Sequence, residues 1–358
     1  MPDPRLERYA ELLVDHCVDV QPGWQVLVSS NPLARPLVEE VVRRIARRGA
    51  YALPRLTFAA GGDSVWAAEA PEDLLSELPP IDRHTYDTID AMIVIQAPEN
   101  LLEGSDLSPE RQALLRQSMA HVIPRMLNGD VRWVGCQFPT AALAQEAGMT
   151  LRQFEEFLFG ACLLDWERMR ADMQRIAVRF DAAETVRVIG PGTDLSFSLA
   201  GRRGEVDALG ANMPGGEVFY SPVEDSAQGV VAFSEYPTTY GGREVAGVRL
   251  QFESGRVVEA VASLNEQHLN QVLDTDDGAR RLGEFGIGCN PGIQQHMRNT
   301  LFDEKIEGTV HFAVGAGFPF LGGCNESSVH WDMVKDLRGG GELWCDGELV
   351  QRDGSWLI

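Results

Sequence analysis

The sequence predicts an α/β protein with a doubly wound N-terminal domain and a mixed, strand-rich C-terminal α/β domain. In the first half, short apolar runs alternate with segments of helical periodicity, a pattern typical of a parallel sheet covered by helices. In the second half, strand-like segments follow one another between glycine-rich turns. At 358 residues, the chain is long enough for two domains of ordinary size.

The elements of the first half follow from the spacing of apolar residues. Helical stripes run through Leu6–Val18 and Leu37–Ile45, and Gly49 ends the second helix. Another helix begins after Ser108, which suits a cap position and is followed by proline in the first turn. These helices alternate with the predicted strands Val26–Val28, Ala52–Phe58, Ala91–Ile95 and Val131–Gly135.

A long helical stretch from Leu151 to Asp181 precedes the change in pattern, so we place the domain boundary near residue 180. The predicted domains are residues 1–180 and 181–358. In the second domain, Ala232–Gly255 indicates two or more antiparallel strands and Leu264–Leu273 indicates a helix. No G-x-G-x-x-G motif follows a strand, so the first domain lacks the dinucleotide-binding fingerprint.

The composition narrows the classes of partner. Lys and Arg total 31 against 53 Asp and Glu, which gives a net charge of −22. A surface of this charge disfavours nucleic acid and anionic membranes, and it favours cations, including metal ions and protonated amino termini. No apolar run approaches the roughly 18 residues of a membrane span. Six scattered cysteines without a C-x-x-C pair indicate free thiols, and we expect a cytoplasmic protein.

The C-terminal segment from Ser328 to Val334 alternates sharply in polarity. In an extended strand, successive side chains point to opposite faces, so His330 and Asp332 share one face while Trp331 and Met333 share the other. An imidazole and a carboxylate on one strand face form a good chelating pair for a divalent cation. The alternative is an ordinary hydrogen-bonded pair.

Three other strands repeat this arrangement. His311 in Thr309–Val314 and Glu284 in Leu282–Gly288 lie among small residues with an apolar reverse face, and Glu217 follows a glycine turn. If these groups converge, their charges predict a cation, because burying unpaired carboxylates costs several kcal/mol per ion. If the strands lie apart, each polar residue faces water. The residues alone leave both interpretations open.

Segments in order along the whole chain resemble the M29 family of metallo-aminopeptidases. The resemblance implies a homodimer acting on short peptides and a site for two divalent metals, with zinc, cobalt and manganese as alternatives. The matching segments are Val186–Leu195, Asn212–Phe219, Gly283-Glu284, Thr300–Glu304, His311–Gly315 and His330–Asp332. The implied metal ligands are Glu217, Glu284, His311, His330 and Asp332.

The mechanism implied by the resemblance is attack on the first peptide carbonyl by a water that two cations activate. We assign the bridging position to Glu217, and a spare oxygen of Glu217 or Glu284 would accept the proton. The substrate's α-amine needs an acidic partner or a metal, for which Glu224 and Asp225 are candidates.

One position departs from the family. Its aminopeptidases carry a tyrosine seven residues after the third ligand, where this chain has Phe318, and nearby Tyr220 is a candidate to replace that phenol.

The chain also resembles, more distantly, ring-opening dihydroxypyridine dioxygenases that use one non-haem iron. Those enzymes have a histidine at the position of Glu284 and an apolar residue at that of Glu217, so both glutamates favour the hydrolase. A non-catalytic relic is the third alternative.

Overall fold

The computed structural model describes residues 3–58 and 64–358. Its Cα atoms cluster into two compact units. The first comprises the chain up to Leu163 together with Leu209–Pro214, and the second comprises Leu164–Ala208 and Gly215–Ile358. The domain boundary near residue 180 stays a prediction. Within the described ranges, no helix combines the length and apolar character that crossing a bilayer requires.

The helices are short to medium in length and are numbered here in chain order. They are α1 (Pro4–Glu11), α2 (Arg35–Arg47), α3 (Ser64–Glu69), α4 (Glu72–Leu75), α5 (Pro80–Thr88), α6 (Pro109–Ser118), α7 (Val122–Leu127), α8 (Ala141–Glu146), α9 (Leu151–Cys162), α10 (Trp166–Asp181), α11 (Glu266–Leu273) and α12 (Thr300–Asp303). Leu12–Cys17 continues α1 as π-helix, and Pro32–Ala34 and Pro319–Leu321 are 3₁₀ turns.

The strands lie mostly in the second unit. They are β1 (Gln25–Ser30), β2 (Tyr51–Leu56), β3 (Ala91–Gln96), β4 (Arg132–Gln137), β5 (Thr185–Gly190), β6 (Thr193–Ser198), β7 (Glu205–Asp207), β8 (Asn212–Met213), β9 (Glu217–Tyr220), β10 (Gln228–Phe233), β11 (Thr238–Tyr240), β12 (Arg243–Val245), β13 (Val248–Glu253), β14 (Arg256–Val261), β15 (Leu282–Gly288), β16 (Thr309–Gly315), β17 (His330–Asp336), β18 (Glu342–Cys345), β19 (Glu348–Arg352) and β20 (Ser355–Trp356).

The first unit contains the predicted parallel sheet, in the order β2-β1-β3-β4-β8. The central strands β1 and β3 are apolar and largely buried, as strands covered on both faces must be. Ser108 caps α6 by accepting a hydrogen bond from the Arg111 amide at 3.3 Å, and Gly49 after α2 has a φ of 75°. The α/β fold class and these predicted start and stop signals are therefore confirmed.

The second unit is built from two antiparallel sheets and a hairpin. One sheet has the order β14-β13-β10-β6-β5-β18-β19-β20, the other has the order β17-β16-β15-β9-β7, and β11 pairs with β12. Phenylalanine rings join the two larger sheets: Phe285 of β15 lies 4.8 Å from Phe197 of β6, between ring centroids, and 5.6 Å from Phe312 of β16. This aromatic layer occupies one face of β15 and β16, so their other face is left for polar side chains.

Two predictions of element boundaries are wrong. The stretch from Leu151 to Asp181 is two helices, because the chain turns at Leu163 and α10 begins anew behind Asp165, whose carboxylate caps the Arg168 amide at 3.1 Å. The C-terminal strand begins at His330, so Ser328 precedes it; the Ser328 amide and hydroxyl instead bind the Asp276 carboxylate, each at 2.8 Å.

Candidate metal centre

The five predicted ligands come from four neighbouring strands, in the order β17, β16, β15 and β9. Each lies opposite a small residue in the strand ladder. The register pairs are Glu217 with Gly288, His311 with Gly286, His330 with Gly315, and both Glu284 and Asp332 with Ala313 on either side of β16. The small partners leave room above the sheet, and the larger polar side chains converge in it.

Gly286 is the position where the small residue lies directly beneath a ligand side chain. A Cβ atom added to Gly286 would lie 2.0 Å from both Cε1 and Nε2 of His311. Since the imidazole crosses directly over this glycine, any larger residue would displace the ring. The glycine therefore places His311 at the middle of the group.

The structure brings all five predicted side chains together. His311 Nε2 lies 3.4 Å from both Glu217 Oε2 and Glu284 Oε1. His330 Nε2 lies 3.0 Å from Glu284 Oε2 and 3.7 Å from Asp332 Oδ2. The Nδ1–H of His330 donates to the carbonyl of Ala316 at 3.0 Å, which turns Nε2 toward the carboxylates.

The sequence analysis missed two members of the site, Glu304 and Lys305, which follow α12. Lys305 is fully buried; its Nζ lies 3.1 Å from Glu217 Oε1, and it also donates to Glu304 Oε1. The chain has only two lysines, Lys305 and Lys335, and both are fully buried. A lysine in a chain that otherwise uses arginine for its basic residues was the signal available in the sequence.

The donor atoms form two groups that could each hold a metal ion, with His311 common to both. They are Glu217, Glu304 and His311, and Glu284, His311 and Asp332, and within each group one ligand atom per residue lies within 4.8 Å of the others. Glu217 Oε2 and Asp332 Oδ1 are buried and lack a hydrogen-bond partner among the described residues. Carboxylate and imidazole donors of this kind suit zinc, cobalt or manganese, so the side chains present fit divalent cations.

The electrostatics of the site are dominated by burial and mutual repulsion. Burial raises the pKa of Glu217 to about 8 and that of Asp332 to about 6. Burial also opposes ionisation of Glu284, but its hydrogen bonds with His311 and His330 prevail and lower its pKa to about 2. For the two histidines, burial disfavours the charged form, yet Glu284 raises the pKa of His311 to about 9 and that of His330 to about 10. Because a metal-bound imidazole is neutral, metal binding here releases protons.

Two residues beside the centre, Tyr220 and Glu224, make contacts other than those expected from the sequence. Tyr220 is fully buried, and its hydroxyl lies 3.1 Å from both the Ala177 carbonyl and Asp181 Oδ1, so it does not take the place of the missing phenol. Glu224 accepts hydrogen bonds from Arg202 at 2.8 Å and from the Cys324 amide at 2.6 Å. That carboxylate therefore holds the loop between β16 and β17.

Phe318 lies next to the centre, in that same loop. Its ring centroid is 5.2 Å from the His330 ring and 5.3 Å from the Phe219 ring. The Phe318 amide donates to Ser221 Oγ at 2.8 Å, which fixes the start of the loop. The apolar ring of Phe318 thus occupies the position for which the resemblance implies a tyrosine.

Comparisons with known proteins identify the family of this chain. The family model described as thermophilic metalloprotease (M29) matches residues 2–356. Aminopeptidase 2 of Geobacillus stearothermophilus is 27% identical over 417 aligned positions, which cover 99% of this chain and 98% of that protein. Aminopeptidase T of Thermus thermophilus is 28% identical over 421 positions, with the same coverage.

Solved structures share the fold. Wild-type AmpT from Thermus thermophilus superposes with a TM-score of 0.84 at 24% identity, covering 99% of both chains. The 2,5-dihydroxypyridine dioxygenase of Pseudomonas putida KT2440 has a TM-score of 0.58 at 14% identity, covering 99% of this chain and 96% of that one. The family match spans nearly the entire sequence, and the chain belongs to the M29 family of metalloproteases, as a hydrolase of the metallo-aminopeptidase class.

Proposed function

We propose that this protein releases N-terminal residues from short peptides at a centre for two divalent cations. The observation that carries the proposal is the pair of donor groups that share His311. With both imidazoles neutral, as metal ligands require, the four carboxylates and one lysine of this largely buried pocket carry a net negative charge, which divalent cations neutralise. The ligands we assign are Glu217, Glu284, His311, His330 and Asp332, with Glu304 as an added candidate.

When bound, the cations would polarise the scissile carbonyl and lower the pKa of a water from 15.7 toward about 7. The protein's own contribution is to orient donors and to move the proton. Lys305 holds Glu217 Oε1, which leaves Oε2 facing His311. We assign the transfer of the proton from the water to the leaving amine to an oxygen of Glu217 or Glu284 that does not bind a cation. His330, held at Nδ1 by the Ala316 carbonyl, presents Nε2 as a fixed donor.

The dioxygenase remains the less favoured alternative. Its similarity to this chain concerns the fold, since the identity is 14%. A two-histidine, one-carboxylate iron site needs few acidic groups. The pocket here contains Glu217, Glu284, Glu304 and Asp332. That excess of carboxylates favours two divalent cations, and the intact donor set also speaks against a relic without activity.

Three further properties belong to the proposal. We propose a homodimer that restricts access to short peptides, on the basis of the family resemblance. We also propose a cytoplasmic location, which the six cysteines support, since none of these described residues takes part in a disulfide. The metals are zinc, cobalt or manganese, each of which is compatible with carboxylate and imidazole ligands.

Metal analysis combined with substitutions tests the function. Protein purified without chelators should contain two divalent ions per chain and hydrolyse aminoacyl-anilides, and both should disappear after chelation. Glu217→Ala and His330→Ala should abolish hydrolysis and lower the metal content, whereas the control Glu253→Ala, at an exposed strand end, should change neither. Full activity in Glu217→Ala, or one iron with oxygen consumption, would refute the proposal.

A further inference from the structure

A cavity in the second unit opens beside the metal centre. It is partly open to solvent, and its lining includes Thr238, Glu244, Arg298, Glu304 and Asp332. Glu304 belongs to one of the two donor groups and Asp332 to the other. The metal centre therefore forms part of the cavity wall, and a ligand that fills the cavity touches the centre.

Charge is distributed unevenly within this cavity. The side chains of Glu304 and Asp332 are 14% and 13% exposed, whereas that of Arg298 is 52% exposed and lies toward solvent. His296 also lines the cavity, but burial lowers its pKa to about 4, so its imidazole is neutral at pH 7. Among the described residues of the lining, Arg298 is thus the permanent cation, in a cavity that Glu304 and Asp332 also line.

The backbone holds Arg298 in an unusual conformation. Its φ is 58°, in the left-handed region that non-glycine residues seldom adopt. The buried carboxylate of Asp303 accepts hydrogen bonds from the Met297 amide at 2.5 Å and from the Asn299 amide at 2.7 Å. Asp303 therefore holds the backbone on both sides of Arg298, and this fixes where the Arg298 side chain begins.

The ion pair that Arg298 makes within the protein is weak. Nη1 lies 3.5 Å from Glu244 Oε2, and the two side chains are 52% and 37% exposed. Exposed ion pairs of this length contribute little to stability. A planar guanidinium has five N–H donors, so it has capacity for a second carboxylate, which it binds in a bidentate manner.

We propose that Arg298 binds the free α-carboxylate of the substrate, so that the cavity selects dipeptides. The inference rests on the proposed aminopeptidase function. With the scissile carbonyl at the metal centre, the carboxylate of a dipeptide lies one residue farther along, where consecutive Cα atoms are about 3.8 Å apart. In a longer peptide, an uncharged peptide group occupies that place.

Kinetics with matched substrates test this assignment on the metal-loaded full chain. The substrates are Leu-Ala, its C-terminal amide and leucine p-nitroanilide. Wild type should prefer the free acid over the amide by about tenfold or more, as expected for a charge-assisted, bidentate contact. Arg298→Met should remove that preference through KM while leaving anilide hydrolysis within about twofold of wild type. The control Arg249→Met, at a partly exposed arginine that pairs with Glu259 on β14, should retain the preference.

A second substitution should change KM for Leu-Ala in the opposite direction. Glu244→Gln removes the carboxylate that competes for Arg298, so KM for Leu-Ala should fall while KM for the amide stays the same. Equal treatment of acid and amide by wild type would overturn the inference even if anilides are cleaved. If no substrate is cleaved, the proposed function fails separately; the carboxylate site is then tested by thermal shift, in which Leu-Ala must stabilise wild type more than Arg298→Met.

Discussion

Lys305 and Glu217 form an ion pair of 3.1 Å between Nζ and Oε1, in which the lysine is fully buried and the glutamate nearly so. The same ammonium group also contacts Glu304. One lysine thus neutralises part of the charge of two carboxylates in the pocket. Its removal leaves those carboxylates repelling each other, unless a bound cation compensates for the loss.

Lys305→Met should therefore destabilise the metal-free protein more than the metal-loaded protein. Removing one partner of a buried ion pair costs about 3–5 kcal/mol when nothing else neutralises the remaining charge. The gain in Tm on adding zinc or manganese should be larger in the variant than in wild type. Thermal unfolding with and without metal provides the measurement.

The other lysine offers a matched control. Lys335 is also fully buried, and its Nζ lies 2.6 Å from Glu235 and 3.0 Å from the Pro191 carbonyl, outside the two donor groups. Lys335→Met should lower Tm by the same amount with and without metal. If both variants respond to metal alike, the assigned role of Lys305 is wrong.

Phe318→Tyr should raise kcat. The ring is adjacent to His330, and a phenol at this position resembles the family's tyrosine, which could donate a hydrogen bond to charge developing on the substrate. One such donor is worth up to about 10²–10³ in kcat in other enzymes, and we expect at least about tenfold here. Phe320→Tyr, on the exposed ring next to Phe318, should leave kcat unchanged. Steady-state hydrolysis of aminoacyl-anilides measures both, and an unchanged kcat in Phe318→Tyr would exclude this role.

Much of the metal centre was predictable because strand alternation has a period of two. His311, His330, Asp332 and Glu284 lie on strands whose reverse faces are apolar, and small residues beside Glu284 and His311 on their own strands indicated the open side of the sheet. These features depend on residues close together in the sequence or in the ladder.

Glu304 and Lys305 could not be predicted in the same way. They follow a four-residue helix, where an acid beside a base normally indicates a solvated surface. Lys305 becomes buried beside Glu217 through tertiary packing. Its role in the site therefore depends on contacts between segments that are distant in the sequence. The break between α9 and α10, by contrast, was predictable from the sequence. Asp165 directly precedes a helical pattern, and an aspartate at that position is a capping signal.

Gly286→Ala should disable the centre by steric conflict. The new methyl group would lie 2.0 Å from the His311 ring, and both strands are buried along their length, so neither can move away freely. Overpacking of this kind costs about 1–3 kcal/mol, and a displacement of about 1 Å at a reacting centre costs about 10²-fold in rate. Activity and metal content should both fall. The control Gly339→Ala adds a methyl group with no atom within 4 Å, and its activity should equal that of wild type.

Asp276 links the loop before β17 to the chain before β15, and its contribution should depend on pH. The carboxylate accepts hydrogen bonds from the Ser328 amide at 2.8 Å, from Ser327 Oγ at 2.7 Å and from the Ala279 amide at 2.9 Å. The Ser328 amide bond lowers its pKa most; burial opposes this, the serine hydroxyls and the Ala279 amide add to it, and the value becomes about 2. Because the folded-state pKa lies below the ordinary value of 3.8 for aspartate, the stabilisation is complete above pH 4 and is lost as the pH falls toward 2.

Asp276→Asn should consequently lower the free energy of unfolding at pH 7 by about 1–2 kcal/mol, reduced from the full carboxylate value because the side chain is partly exposed. The difference from wild type should shrink as the pH is lowered from 4 to 2, since protonation removes the same acceptor from wild type. Denaturant unfolding across this pH range measures the effect. Asp277→Asn, at the exposed neighbouring residue, serves as the control. A destabilisation of Asp276→Asn that stays constant with pH would show that the charge of the carboxylate does not matter.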